Sequence, residues 1–170
     1  MSSGGTSIPQ KNHVVTDFIK NSKKSPQNPE DIKRFASIGA GKKTFNGKAS
    51  PSHEMMRDRM PNAEIYLLDP ENISPEENLA ELDKLFSRPA DAAEAANVLN
   101  VIPDKAMRNN VIQSVYDVLD EGGWAYFKIF VGSKQNKTLG QAYKEGTLAY
   151  GDNKELNEEL YKQNKEQGIC

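Results

Sequence analysis

Phe35-Ala36-Ser37-Ile38-Gly39-Ala40-Gly41 is the stretch on which the reading of this chain turns. A short apolar run enters two glycines, the pattern of a strand that ends in a tight turn. Glycines there let the backbone fold back sharply and turn its N–H groups toward an anionic ligand. A single G-x-G is equally the mark of an ordinary tight turn, so both readings stand at this point. Two phosphate-binding patterns are excluded. The Walker pattern G-x-x-x-x-G-K-S/T fails because Ala36 stands in the first glycine's place and Lys43 follows Lys42. The dinucleotide fingerprint needs a third glycine where Thr44 stands and an acid about twenty residues on. Asp69 lies 28 residues after Gly41.

Working outward, Asn46-Gly47 marks a turn, and Ser50-Pro51 opens a helix, serine as the cap and proline in the first turn. Met55, Met56 and Met60 supply its apolar side, read as core or interface packing. Glu64 to Leu68 is a second strand, ending in Asp69-Pro70. Ser74-Pro75-Glu76-Glu77 caps another helix, with Leu79, Leu82, Leu85 and Phe86 expected on its buried face. Ala92 to Leu99 reads as a buried strand. The next helix shows Met107, Val111, Val115, Val118 and Leu119 at helical period, and Gly122-Gly123 is expected to stop it. Trp124 to Val131 is the strongest strand signal. Strands and helices therefore alternate, which predicts an α/β fold: a Rossmann-like three-layer sandwich on a mostly parallel, incomplete sheet.

The chain divides by composition into three parts. Residues 1–31 read as a flexible or loosely docked leader, with one short amphipathic helix at Val14, Val15, Phe18 and Ile19. Residues 32–133 form the core, and 134–170 a polar segment in which Leu156, Leu160 and Tyr161 could face one side of a final helix. The 22 basic and 24 acidic side chains leave a net charge of -2, which gives no strong nucleic-acid signal. The lone cysteine, Cys170, allows no internal disulfide, and His13 and His53 lack partners at metal-ligand spacing. His53 reads as a surface histidine, Lys42-Lys43 as a solvated pair, and Tyr143 and Tyr150 as loop anchors. No apolar run reaches membrane-span length and no secretory leader is evident, so the expected location is cytoplasmic.

Asp69, at the carboxyl end of a strand beside a glycine turn, is placed to accept hydrogen bonds from both hydroxyls of a ribose; the plain alternative is a solvated turn acid. A third pattern makes the reading more specific. Asn97-Val98-Leu99-Asn100-Val101-Ile102-Pro103, an amphipathic helix, then Leu119-Asp120-Glu121-Gly122-Gly123-Trp124-Ala125-Tyr126-Phe127 resembles the fourth and fifth strands of class I S-adenosylmethionine (SAM)-dependent methyltransferases. The resemblance covers about residues 34–131, with the glycine loop and Asp69 in the family's order. It implies SAM as cofactor: Gly39, Ala40 and Gly41 around its methionine part, Asp69 on its ribose, Asn97 and Leu99 at the methyl-transfer end. The acceptor is unassigned, and no catalytic base is identified.

The chain departs from that family in three places. Ser37 stands where an acid usually precedes the first glycine by two residues. No third strand is evident between Asp69 and Ala92, and little strand-like sequence follows Val131. These departures predict a trimmed or truncated domain. They also carry a second reading, a non-catalytic binding or assembly module on a degenerate methyltransferase fold, with an oligomer or partner chain at the open sheet edge.

Overall fold

The computed structural model of the protein describes residues 13–129. Its elements run α1 (Val14–Asn21), a 3-10 turn (Pro29–Asp31), β1 (Arg34–Ile38), β2 (Thr44–Phe45), β3 (Lys48–Ala49), α2 (Pro51–Arg59), β4 (Glu64–Leu68), α3 (Pro75–Ser87), β5 (Ala90–Ala96), a second 3-10 turn (Leu99–Val101), α4 (Lys105–Asp117) and β6 (Leu119–Lys128). The described residues fall into two units, 13–96 with 111–128, and 97–110 with 129. The expected final helix and Tyr143, Tyr150, Leu156, Leu160, Tyr161 and Cys170 lie outside the described residues.

The first unit is α/β. Four strands lie in the order β4-β1-β5-β6, and every pairing is parallel. Right-handed crossovers then put α2 on one face of the sheet and α3 on the other, because the chain steps from β1 to one side and returns past it to β5. No strand intervenes between β4 and β5 in the chain, as expected. The Asn46-Gly47 turn closes the small β2-β3 hairpin, with both residues in the left-handed region at φ 49° and 74°.

Parallel sheets are covered on both faces, so their central strands carry small or apolar side chains throughout. Five of the seven residues of β5 are alanines, and Ala90, Ala92, Ala93 and Ala95 are fully buried. Rows across the sheet follow from the register. Leu67, Ser37, Glu94 and Tyr126 form one row, and Ile65, Phe35, Ala92 and Trp124 the next on the same face. On that face Val15 and Ile19 of α1 and Met56 and Met60 pack with Phe35, Leu67 and Tyr126. The segment read as a leader is thus built into the core from His13 onward. Phe18 meets the ring of Tyr126 edge-on at 6.4 Å. Downstream, Gln27 accepts from the Tyr126 hydroxyl at 2.7 Å and donates to Asp91 O at 3.0 Å.

Two expectations about helices need correction. In α3, Leu85 is buried but Leu79 and Phe86 are each 60% exposed. Residues 79, 82 and 86 share one stripe of the helix and 85 lies about 120° round from Leu79, so the sheet takes only one of two apolar sides. Gly122-Gly123 does not stop α4, which ends at Asp117; the pair lies inside β6. There the register slips between Ala90 and Ala92, and Gly122 takes φ 78°. The glycines serve an irregularity in the strand rather than a helix end. A Cβ on Gly123 would meet Asp120 O at 3.0 Å and Ala90 O at 3.2 Å. Both are backbone atoms, so Gly123→Ala is expected to destabilise by about 1–3 kcal/mol, read as a lowered urea midpoint. Gly122→Ala, with open space around it, meets only the left-handed penalty of about 1–2 kcal/mol.

Candidate functional site

The glycine loop leaves the carboxyl end of β1 and folds over the end of β4. Gly39 and Gly41 take φ 72° and 77°, the left-handed region that excludes most other residues. Gly39 N–H donates to Leu68 O at 2.7 Å, Ala40 N–H to the same oxygen at 3.1 Å, and Gly41 N–H to Asp69 Oδ2 at 2.7 Å. The three N–H groups that could face an anion are therefore all bonded within the chain. From the other side His53 Nε2 donates to Ala40 O at 3.0 Å.

Asp69 is buried, at 5% exposure, and organises the loop that follows β4. Its Oδ1 accepts from Glu71 N–H at 2.9 Å and Asn72 N–H at 3.1 Å. Its Oδ2 accepts from Gly41 N–H at 2.7 Å and from the Asn72 side-chain amide at 3.1 Å. A carboxylate offers about four acceptor positions, and all four are in use. Asn78, in the first turn of α3, closes the same loop: its Oδ1 accepts from Asp69 N–H at 2.9 Å, and its Nδ2 donates to Asp69 O at 3.0 Å and Ile73 O at 2.9 Å. The acid read either as ribose-binding or as solvated is buried rather than solvated, and it joins the glycine loop to the β4 end.

His53 is a correction to the surface reading. It is 1% exposed, on the buried side of α2 with Ser52 and Met56. Burial pushes its imidazole below the ordinary histidine range, only partly opposed by the bond to Ala40 O. The sign follows from linkage. Between an unfolded pKa of about 6.5 and the lower folded value, the unfolded chain binds the extra proton, so stability falls as pH drops through that window. His53→Gln keeps an N–H for Ala40 O and has no proton to gain. It is expected to lose less urea resistance than the unsubstituted chain between about pH 7.5 and 5.5.

Sequence reading missed the group beside Ser37. Glu94, in register with Ser37 on β5, is fully buried; its Oε1 accepts from Ser37 Oγ at 2.9 Å and from His13 Nε2 at 2.8 Å. His13 Nδ1 accepts from Thr16 N–H at 3.3 Å, capping α1, which leaves the ring hydrogen on Nε2 for Glu94. Glu94 Oε2 has no hydrogen-bond partner. A glutamate alone in an alanine run was the available signal, since such a residue in a covered parallel strand must be buried and needs a partner.

Asn97 and Leu99 belong to the second unit. Asn97 follows β5 directly, with φ 58°, and its Oδ1 is buried without a hydrogen-bond partner. Leu99 opens the second 3-10 turn and is buried. In the same unit Arg108 donates to Ile102 O at 2.9 Å and Pro103 O at 2.7 Å, fixing the segment before α4. The four residues Gly39, Ala40, Gly41 and Asp69 are therefore brought together in the first unit.

Away from the loop, an open depression of about 420 Å³ lies between β4 and the second half of α3, lined by Glu64, Tyr66, Asp83, Lys84, Ser87 and Arg88. Among the described residues no helix is long and apolar enough to cross a membrane, and no group of three His, Cys, Asp or Glu is placed to hold a metal ion. No protein-family model, curated protein or solved structure matches the chain.

Proposed function

We propose that the chain binds SAM at the carboxyl ends of β1 and β4 and serves as a methyltransferase-like protein on a Rossmann-like domain. One observation carries this reading. The glycine loop sits where the chain's connections diverge, β1 being followed by β4 on one side and β5 on the other. In open α/β sheets such a switch point, at the carboxyl ends of the strands, is where ligands bind. The loop is held there by an acid at the end of the neighbouring strand.

The donor set around Asp69 bears on the fit. Three of its four donors are backbone N–H groups and one is the Asn72 amide, which can swing away. The carboxylate therefore has a place for one ribose hydroxyl rather than two. Gly39 and Gly41 have no side chain to keep a ligand from the backbone at those two positions. When bound, SAM supplies an activated methyl for in-line displacement, and the protein's part is positioning and exclusion of water. His53 holds Ala40 and with it the loop's shape.

Titration calorimetry of the purified chain with SAM and with its demethylated product tests the reading. Micromolar binding is the expected result. A folded chain that gives no heat with either would sink it. The second reading, a binding or assembly module without cofactor, draws on the loop's internally bonded N–H groups and on the exposed Leu79 and Phe86 of α3.

A further inference from the structure

We propose that Asn72 is a positioning residue: its side-chain amide occupies the acceptor of Asp69 that a ribose hydroxyl would take, so nucleoside binding must displace it. This rests on the cofactor reading above and adds a device that sets the affinity of the same site. The case begins with Asp69 Oδ1, which is closed by two backbone N–H groups of its own turn, Glu71 and Asn72. Those cannot leave without unmaking the loop that Asn78 also stitches. On Oδ2, Gly41 N–H is the shorter bond at 2.7 Å and belongs to the left-handed turn after β1. The remaining bond, from Asn72 Nδ2, is longer at 3.1 Å and is made by a side chain free to rotate about its own Cα–Cβ bond.

A hydroxyl that replaces this amide restores the same number of hydrogen bonds to the carboxylate, while the amide moves out to water from a half-buried position. The exchange is close to balanced, and the net preference for nucleoside is what remains after the amide's competition. Removing the amide leaves one acceptor of a buried carboxylate short of its protein donor and ready for a hydroxyl. Asn72→Ala and Asn72→Leu both keep the backbone N–H that closes Oδ1, and leucine also keeps side-chain bulk.

The test measures binding of S-adenosylhomocysteine to the unsubstituted chain and to both variants by calorimetry, with adenosine and 2′,3′-dideoxyadenosine as a matched pair of probes. Both variants are expected to bind S-adenosylhomocysteine and adenosine about tenfold more tightly, with the affinity for the dideoxy compound unchanged. A loss of packing alone would not distinguish the two nucleosides. Equal or weaker binding of S-adenosylhomocysteine by both variants, or a gain shared by the dideoxy probe, overturns the proposal while leaving the cofactor reading intact. Silence from all three overturns both readings.

Discussion

Replacing His13 by alanine is expected to lower the thermal unfolding midpoint by about 6–12 °C, the shift for a loss of about 3 kcal/mol in a chain of this size. Two contributions add. The ring caps α1 by accepting from Thr16 N–H, and removing such a cap costs about 1 kcal/mol. It also donates to Glu94, whose carboxyl group lies fully buried, and a hydrogen bond to a charged group contributes about 1.5–3 kcal/mol. The second contribution exceeds the first because its acceptor is a fully buried carboxyl group. Ser37 would remain as the one hydrogen-bond donor to Glu94 in that row.

Two further substitutions separate the contributions. His13→Asn supplies a cap oxygen but is too short to serve Glu94, so it is expected to recover only the cap's share. Replacing the network as a whole, with His13→Leu, Glu94→Met and Ser37→Ala, is expected to be milder than His13→Ala alone, because buried polar groups are most damaging when half of a pair is left behind. Thermal unfolding followed by circular dichroism ranks the variants. If His13→Ala matched the unsubstituted chain, α1 would not be anchored through Glu94.

Much of the fold was legible because its signals are local. Glu64–Leu68 is bounded by Asn62 and Pro70, and Ser74 caps α3 by accepting from Glu77 N–H at 3.2 Å. Alternation of such elements then left a parallel sheet as the natural arrangement. What was not legible depends on partners distant in the chain. A glycine with φ 78° reads the same after a helix as inside an irregular strand, so the sequence alone does not place Gly122 in β6. Helical period shows that α3 has apolar sides without saying which meets the sheet, and Leu79 and Phe86 fall on the side that does not. His53 looks polar in a helix of low apolar content, yet it is buried because Ala40 O needs a donor beneath the loop. The residue types of the site were readable at Gly39, Gly41 and Asp69; where their hydrogen bonds go was not. His13 and Glu94 show the same limit, since neither is informative without the other.

Asp69→Ala should both loosen the glycine loop and abolish binding of SAM. Four donors lose their acceptor at once. The Asn72 side-chain amide can turn to water and contributes little, whereas the backbone N–H groups of Glu71 and Asn72 lose the acceptor that closes their own turn. Gly41 N–H is held in a turn that itself depends on the bond, and its loss dominates. A net destabilisation of about 2–4 kcal/mol follows, between one charge-assisted hydrogen bond and the sum of all four. Hydrogen exchange at Gly41, Glu71 and Asn72 locates the change, and calorimetry reads the loss of binding. Asp69→Asn sharpens the test. Asparagine has one carbonyl oxygen, so whichever way its amide is turned an NH2 group faces two donors that expected an acceptor. Despite its matching shape, it is expected to approach the alanine variant in stability. A stable Asp69→Asn that still bound SAM would mean that shape rather than charge holds the loop, and that recognition of the ribose does not need the carboxylate's charge.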